Sequence, residues 1–326
     1  MGWNKGNCAS NGGGSHLCRR GRERQANTDP EAMNKPVYVI DAMNYIFRAY
    51  HALPDNITAP SGMLTNAVLG YLRTLLRIIK ERKPEYMAAA FEADTSFRNT
   101  MFAAYKANRK PPPDDLQAQF EYCRKITEAI GVACLEVDGY EADDVIGTIA
   151  TRMSALGHPV VIVTGDKDMS QLVCGSVRIY DIAKESWLDE AAVLEKFGVA
   201  PCQIPDLLAL HGDSIDNIPG VAGVGEKTAR QILSVCKTVD DLVRLDMDRQ
   251  ISFRSRDEIL RRIRDNIEAV RISRKLATIC CEVPIEVSPE LLRYRRGDRR
   301  RLDRLCAELG FVSVLNDIPI AQPALF

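Results

Sequence analysis

Several features that would assign a protein class at once are missing from this sequence of 326 residues. No apolar run approaches the roughly 20 residues that a helix needs to cross a bilayer, so we expect a soluble, cytoplasmic protein without a membrane partner. The N-terminus has no apolar segment of the kind found in secretory signals. The ten cysteines show no CxxC spacing, which argues against a zinc clamp and favours reduced thiols.

Charge of one sign is also lacking overall, because the net charge is only -1. Composition by itself therefore does not indicate a nucleic-acid-binding protein. Residues 1–34 have few apolar side chains and many Gly, Asn and Arg residues. We predict that this segment is a disordered tail, because it cannot bury enough apolar surface to fold.

The apolar residues that follow the tail are arranged as in an α/β protein. Four apolar runs without polar alternation are predicted to be buried parallel strands, namely 37–40, 87–91, 160–163 and, more weakly, 177–180. Three segments between them have helical spacing, namely 65–82, 115–130 and 142–156. This alternation predicts an α/β catalytic domain over 35–188 with a central parallel sheet. Helical patterns then predict a helical C-terminal region over 189–326.

Acidic side chains come directly after three of the predicted strands. Asp41 follows VYVI, Glu92 follows AAAF, and Asp166 and Asp168 follow VVIVTG. Because the carboxyl ends of neighbouring parallel strands form one crevice, these side chains are expected to converge there. Each acid alone has an ordinary explanation as a strand-end or turn residue. Three separate segments are, however, expected to place acids in the same crevice, which favours a shared function.

More acids stand at two further points of the chain. The stretch DGYEADDVIG places Glu141, Asp143 and Asp144 at a helix start, and LALHGDSIDNIPG contributes Asp213 and Asp216. A helix cap with a solvated first turn is the ordinary explanation of the first group. Clustered carboxylates repel one another and raise one another's pKa, and a divalent cation between them offsets this repulsion. Oxygen ligands without a nearby histidine favour two Mg²⁺ or Mn²⁺ ions, an arrangement suited to phosphodiester hydrolysis.

A basic and aromatic segment, TSFRNTMFAAYKANRKPPPDDL, separates Glu92 from the next predicted helix. Its cations and aromatic residues alternate along the chain, and they are Phe97, Arg98, Phe102, Tyr105, Lys106, Arg109 and Lys110. Such a pattern suits a single nucleic-acid strand, through phosphate contacts and base stacking. An ordinary amphipathic helix with a solvated basic face is the alternative.

The segment PGVAGVGEKTAR combines glycines with positive charge. Gly220, Gly223 and Gly225 permit a tight hairpin between two helices, and Lys227 adds a cation near a helix N-terminus. A hairpin of this kind holds a duplex backbone without reading its sequence. A generic glycine-rich turn is the alternative; a P-loop is excluded because GxxxxGK[ST] does not fit.

Five motifs together resemble the bacterial 5′→3′ exonucleases, which form the N-terminal domain of DNA polymerase I and its stand-alone relatives and are akin to flap endonucleases. The motifs are VIDAMNYIFRAYHALP, YKANRKPPPDDL, GYEADDVIGT, VTGDKDMSQLV and GDSIDNIPGVAGVGEKTA. They occur in the family's order and cover about residues 36–315. The resemblance implies a PIN-like fold, a helical arch over the active site and a helix–three-turn–helix DNA clamp.

The resemblance also implies residue roles. The family's metal-site acids correspond to Asp41, Glu141, Asp143, Asp144, Asp166, Asp168, Asp213 and Asp216. The catalytic arch residues correspond to Tyr105, Lys106, Arg109 and Arg98, and the DNA clamp to Gly220, Gly223, Gly225, Lys227 and Thr228. K⁺ is expected on backbone carbonyls near Val221 and Val224.

Two features depart from the usual polymerase I pattern. FEA stands where such enzymes usually have FDA, so Glu92 replaces an aspartate at a predicted metal ligand, with Asp94 as a partial substitute. The chain also ends at residue 326, which predicts a stand-alone enzyme or a fragment without the polymerase domain.

We therefore predict a metal-dependent 5′→3′ exonuclease and flap endonuclease. Its expected substrates are DNA with a 5′ flap, a nick or an RNA primer, and its expected partners are a DNA polymerase and a ligase at the bacterial nucleoid. One alternative is a catalytically impaired paralogue that binds flaps without cutting them, with Glu92 as its support. Another is a phosphatase or phosphotransferase of a different α/β fold, although the second acid of a DxD motif is missing after Asp41.

Overall fold

The computed structural model describes residues 35–244, 255–311 and residue 314. The predicted tail over 1–34 and parts of the C-terminal region lie outside these residues. In the described part of the chain, no helix is long and apolar enough to cross a membrane.

A six-stranded sheet stands at the centre of the described chain. Its strands are β1 (Val37–Asp41), β2 (Tyr86–Ala90), β3 (Ala133–Leu135), β4 (Val160–Val163), β5 (Val177–Asp181) and β6 (Ser186–Leu188). Their order is β3-β2-β1-β4-β5-β6, and all neighbours are parallel except β5 and β6. The four predicted strands are thus confirmed. The short strands β3 and β6 were not predicted, because three residues give no readable periodicity.

The order of the strands determines where a ligand crevice can form. β1 pairs with β2 on one side and with β4 on the other. The first half of the sheet therefore extends from β1 in one direction and the second half in the other. An open parallel sheet forms a crevice at such a switch point, outside the carboxyl ends of the strands. Asp41 is the last residue of β1, and it therefore lies at this crevice.

Helices cover both faces of the sheet. They are α1 (Ala42–Ala52), α2 (Asn66–Arg82), α3 (Phe97–Met101), α4 (Asp114–Ile130), α5 (Ala142–Ala155), α6 (Glu190–Phe197), α7 (Ile204–His211), α8 (Glu226–Leu233), α9 (Asp241–Arg244), α10 (Arg256–Asp265), α11 (Ile267–Ala277), α12 (Pro289–Leu292) and α13 (Arg299–Leu309). The three helices predicted between the strands correspond to α2, α4 and α5, each within a residue or so at its ends. No strand follows β6 in the described residues, as the helical C-terminal region predicts.

The two faces of the sheet bury alternate strand residues, as the period of two requires. Ile40, Met87 and Val163 belong to a core formed with α1, α2, α4 and α13. Val39 and Ile162 belong to the other core, which α5 and the C-terminal helices complete. The helices α6 to α12 therefore pack on the same face of the sheet as α5, the helix that carries the predicted acids at its N-terminus, whereas α13 packs on the opposite face.

The segment predicted to form a helical arch contains less helix than expected. Only α3, five residues long, and a series of turns lie between β2 and α4. Pro111, Pro112 and Pro113 precede α4, and prolines cannot donate the backbone hydrogen bonds that would extend that helix backwards. The alternative of one amphipathic helix through this segment is therefore wrong.

Candidate active site

A cavity of about 820 Å³ opens at the switch point of the sheet. The predicted metal-site acids that line it are Asp41, Glu92, Asp143, Asp166, Asp168 and Asp216. The basic residues Lys106, Arg109 and Lys110 lie on its wall as well. The structure thus brings together acids from three strand ends, one helix start and one loop, together with cations of the basic segment.

Asp41 joins the cavity to the first strand and the first helix. Its Oδ1 accepts a hydrogen bond from the Asn44 amide at 3.1 Å and caps α1, and its Oδ2 accepts one from Thr164 Oγ1 at 2.7 Å. Burial, together with the charges of Asp166 and Glu92, raises the pKa of Asp41 to about 7, although the two hydrogen bonds oppose the shift.

The pKa values of Asp143 and Asp168 are raised for the same reasons as that of Asp41. Burial, and then the charge of Asp166, raises the pKa of Asp143 well above its usual value. Burial and the same neighbour raise the pKa of Asp168 to about 7. Asp168 Oδ1 is buried and has no hydrogen-bond partner among the described residues. A nearby cation or a bound proton stabilises such a group.

Other predicted acids are already held by basic side chains. Lys106 Nζ lies 2.9 Å from Glu141 Oε2, and Lys167 Nζ lies 2.7 Å from Asp213 Oδ2. Arg109 forms an ion pair with Asp216. Burial by itself would raise the pKa of Glu141, but the charges of Lys106 and Arg98 lower it below its usual value. Glu141 and Asp213 thus stand behind the cavity wall with their own counterions.

Asp144 and Arg98 do not occupy the positions that the sequence analysis gave them. Arg98 was predicted to contact phosphate and Asp144 to bind metal. The structure instead buries both, at 2% and 0% exposure, in a two-pronged ion pair with N–O distances of 2.7 and 2.8 Å. The carboxylate of Asp144 faces protein rather than the cavity because Arg98 satisfies both of its oxygens.

The turns after α3 bring Lys106 into the cavity by an unusual backbone conformation. Lys106 has a φ of 54°, in the left-handed region that non-glycine residues seldom adopt. Its amide donates to the Asp216 carbonyl at 2.9 Å, and Asn217 Nδ2 donates to the Ala104 carbonyl at 2.7 Å. The loop that carries Asp216 therefore holds this turn in place. Tyr105 is buried, and its hydroxyl donates to Glu141 at 3.2 Å.

Glu92 reaches across to the helix that carries Asp143. Its Oε2 accepts a hydrogen bond at 3.1 Å from the amide of Ala142, the first residue of α5. That amide has no partner within the helix, and the helix dipole favours a negative charge there. The added methylene of glutamate is thus used to reach α5. Asp94, its suggested substitute, also lines the cavity and is exposed.

The cavity fits a divalent cation by the chemistry of its donors. Its acids supply carboxylate oxygens, which Mg²⁺ and Mn²⁺ prefer, and buried carboxylates with raised pKa values gain most from a nearby positive charge. In the described residues, no three acidic, histidine or cysteine side chains converge closely enough to hold one ion by themselves. Water or substrate oxygens would have to complete the coordination, as is common for Mg²⁺.

The predicted hairpin joins α7 to α8 through residues 212–225. Gly223 has a φ of 85°, and a Cβ on Gly220 would lie 2.5 Å from the Gly212 amide nitrogen, so both positions require glycine. Gly223, Lys227 and Thr228 line a second cavity of about 570 Å³. Gly225 is exposed and precedes α8.

The valines of the hairpin, by contrast, point into the protein core. Val221 and Val224 are buried, and the Val221 carbonyl accepts a hydrogen bond from the Val224 amide at 2.9 Å.

Sequence reasoning missed several residues that line the cavity or contact the acids in and behind its wall. Thr164 and Asn44 orient Asp41, and Lys167 neutralises Asp213. Phe47 and Phe120, whose ring centroids lie 6.0 Å apart, form its apolar end. Their only sequence signal was position, since Asn44 and Phe47 lie three residues apart on α1, just after Asp41, and so share one face of that helix.

Family profiles match both parts of the chain. One described as "5'-3' exonuclease, N-terminal resolvase-like domain" covers residues 36–198, and one described as "5'-3' exonuclease, C-terminal SAM fold" covers residues 199–300. The predicted domain boundary after residue 188 stays a prediction.

Relatives of known sequence fall into two sizes. A 5'-3' exonuclease of Aquifex aeolicus is 35% identical over 285 residues, which is 87% of this chain and 95% of that protein. DNA polymerase I of Pseudomonas aeruginosa is 41% identical over 286 residues, which is 87% of this chain but 31% of the relative. DNA polymerase I of Caldicellulosiruptor bescii is 35% identical and is covered to 34%. The chain therefore spans about a third of the polymerase relatives.

Solved structures support the fold. T5 5'-exonuclease with bound zinc superposes with a TM-score of 0.62 at 21% identity, over 76% of this chain and 90% of that one. A bacteriophage T5 D15 flap endonuclease complex with DNA and metal ions gives a TM-score of 0.62 at 19% identity, over 87% and 96%. The expected PIN-like α/β fold with a helical C-terminal region is confirmed. On the profiles and the Aquifex relative, the chain belongs to the 5′-3′ exonuclease family, a family of nucleases.

Proposed function

We propose that the chain hydrolyses phosphodiester bonds at 5′ ends and 5′ flaps of DNA, with two divalent cations, Mg²⁺ or Mn²⁺, in the acidic cavity. The observation that carries this proposal is the cavity itself, in which Asp41, Asp143, Asp166 and Asp168 face the cations Lys106 and Arg109 across one space. Acids of this kind suit metal ions, and the cations suit a phosphate.

The residues proposed to hold the ions fall into two groups. Asp41, Asp143, Asp166 and Asp168 would contact them directly, with Glu92 and Asp216 at the edge of the same cavity. Bound ions would make an attacking water more acidic and neutralise charge that develops on the phosphate. Glu141 and Asp213 would act at longer range, since each already has a lysine partner.

Lys106 and Arg109 are the residues proposed to bind the scissile phosphate. Burial by itself would lower the pKa of Lys106, but the charges of Glu141 and Glu92 outweigh this effect and raise it, so the ammonium stays charged. A fixed cation at a developing negative charge stabilises the transition state. Tyr105 would orient Glu141, to which Lys106 is bound.

We further propose that the hairpin holds the duplex part of the substrate. Gly220, Gly223 and Gly225 let the phosphate backbone approach closely, and Lys227 and Thr228 supply polar contacts beside the second cavity. K⁺ on the backbone carbonyls near Val221 and Val224 is part of this proposal, and the Val221 carbonyl also accepts a hydrogen bond from the Val224 amide.

We also propose that the protein acts in the cytoplasm together with two other enzymes. A DNA polymerase would produce the flap, and a ligase would seal the nick that remains after cleavage.

Cleavage of a 5′-labelled flap duplex tests the proposal. We expect short 5′ products with Mg²⁺ or Mn²⁺ and none with chelator, because the acids cannot activate water without an ion. A nicked duplex, a blunt duplex and an RNA-primed duplex in the same assay would rank the substrates. Intact flap under every condition, with the DNA still bound, would refute hydrolysis and support the flap-binding alternative.

A further inference from the structure

We infer that Arg98 is a positioning residue: through Asp144 it fixes the acidic first turn of α5 to the end of α11, the helix that braces the hairpin. The inference rests on the proposed function, since it assigns a role to residues that do not line the cavity. It replaces the phosphate contact expected of Arg98.

The guanidinium of Arg98 makes four hydrogen bonds inside the protein. Two of its N–H groups donate to the two oxygens of Asp144, at 2.7 and 2.8 Å. Its Nε donates to the Leu276 carbonyl at 2.9 Å, and Nη2 donates to the Thr278 carbonyl at 2.8 Å. Arg98 is only 2% exposed, so it is not placed to meet DNA. It connects α3, α5 and the C-terminal end of α11 in one rigid fork.

Asp144 completes the junction from the side of the active site. Its Oδ2 accepts a hydrogen bond from the Glu141 amide at 3.1 Å, and its Oδ1 accepts one from the Cys280 amide at 2.8 Å. Both oxygens therefore have two donors. The turn between Glu141 and Asp144 carries Asp143, which lines the cavity. The direction in which Asp143 points thus depends on where Arg98 holds Asp144.

The other end of the junction leads to the hairpin. Ser273 lies on α11 one turn before Leu276, and its hydroxyl donates to the Pro219 carbonyl at 2.6 Å. Pro219 directly precedes the glycines of the hairpin. A continuous set of hydrogen bonds therefore runs from the hairpin through α11 and Arg98 to the acidic turn. Contiguous bonded groups of this kind can carry coupling, but coupling has to be measured.

Stability alone gives a weak reason for this pair. Two buried charges lose much of their hydration, so a buried ion pair often stabilises a fold no more than apolar residues of the same volume would. A two-pronged pair with further hydrogen bonds to backbone carbonyls does, however, fix the orientation of both side chains. The prediction is therefore that variants without the pair fold, yet hold the acidic turn less accurately.

Two variants separate orientation from stability. Arg98→Met with Asp144→Asn removes both charges and leaves no uncompensated ion in the core. Arg98→Lys keeps the charge but cannot make the fork or both carbonyl bonds. Arg152→Met is the matched control, because Arg152 ties the same helix α5 to the Val283 and Ile285 carbonyls, at the end far from the acids.

Three readouts on each protein test the inference. Hydrogen exchange of the amides at 141–145 is measured on metal-free protein, Mn²⁺ affinity by calorimetry, and kcat and KM on the flap duplex. For both Arg98 variants we expect faster exchange at 141–145, Mn²⁺ binding weakened by roughly 10- to 100-fold, and a lower kcat with little change in KM. For Arg152→Met we expect all three to match the unsubstituted protein.

Several results would overturn the inference. Folded Arg98 variants with unchanged exchange at 141–145 and unchanged Mn²⁺ affinity would show that the pair does not position the acids. Failure of both variants to fold would leave Arg98 a purely structural role, as would equal effects of Arg152→Met. If the unsubstituted protein cleaved no flap, the proposed function would fail, while the exchange of residues 141–145 would still decide the role of Arg98.

Discussion

Replacement of Lys106 by methionine is the most direct test of the proposed phosphate contact. The substitution keeps an unbranched side chain that ends one atom short of the ammonium, and so it removes the positive charge. In the structure this group lies 2.9 Å from Glu141 Oε2, and the Lys106 side chain is 19% exposed. Glu141 keeps two other partners, Tyr105 Oη at 3.2 Å and Arg98 Nη1 at 3.5 Å.

These contacts give the expected size of the stability loss. At an effective dielectric constant of about 20, two unit charges 2.9 Å apart attract by roughly 6 kcal/mol. The lost hydration of the ammonium cancels most of that attraction, and Glu141 remains paired with Arg98. We therefore expect the free energy of unfolding to fall by about 1–2 kcal/mol, and Tm by about 1–3 °C.

The loss of activity should be much larger than the loss of stability. A preorganised charge at the reacting phosphate contributes a factor of about 10²–10³ to kcat. Single-turnover cleavage of the flap duplex at saturating enzyme measures this step, and thermal unfolding measures stability on the same samples. Lys106→Arg should retain more activity than Lys106→Met because it retains the charge.

A matched control separates a lost catalytic charge from a lost ion pair. Lys35 pairs with Glu85 at the amino-terminal end of the sheet, opposite the cavity, so Lys35→Met should leave kcat unchanged. A Lys106→Met protein that is folded and cleaves within about threefold of the unsubstituted rate would refute the proposed contact.

Three further predictions concern the acids and the hairpin. Asp143→Asn together with Asp168→Asn should abolish cleavage, leave flap binding in chelator intact, and remove the rise in Tm that millimolar Mg²⁺ gives the unsubstituted protein; a rise that survives would place the ions elsewhere. Burial raises the pKa of Asp206 to about 6, above its unfolded value of about 3.9, so the folded state holds that proton more tightly and loses stability as pH rises from about 4 to 6. Asp206→Asn should therefore flatten urea-unfolding stability over that range relative to the unsubstituted protein, and identical pH profiles would contradict this assignment. Gly220→Ala should destabilise the hairpin by about 1–3 kcal/mol, because its Cβ would lie 2.5 Å from backbone atoms. Gly225→Ala has nothing within 4 Å of its Cβ and loses only a favourable N-cap residue of α8, so it should lower Tm less; equal melting temperatures of the two variants would show that the close approach is relaxed in solution.

The sheet was predictable because its strands are buried on both faces. The apolar runs at 37–40 and 160–163 lack polar alternation, and such runs occur where helices cover both sides of a parallel sheet. The acids at the strand ends then had to share one crevice, as the cavity shows. Short elements such as β3 were not predictable, because the pairing of Ala133 with Ala88 depends on a neighbour far along the chain.

The basic segment shows where pattern reasoning fails. Arg98, Lys106 and Arg109 look alike in sequence, as cations among aromatic residues. In the structure two of them line the cavity and the third is buried against Asp144. Periodicity could not distinguish them because the segment is mostly turns, in which no repeat relates sequence spacing to direction.

The sequence alone determined the class of this protein: an α/β sheet followed by helices, a set of acids brought to one crevice, and a glycine-rich hairpin. These follow from local rules, namely the burial of apolar runs, the common direction of parallel strand ends and the backbone freedom of glycine. Only the tertiary structure decided which carboxylates face the cavity and which face a cation of the protein. Asp143 and Asp144 are neighbours in sequence, yet the first lines the cavity and the second binds Arg98. Consecutive helical residues point about 100° apart, so what each one meets depends on the elements packed around the helix.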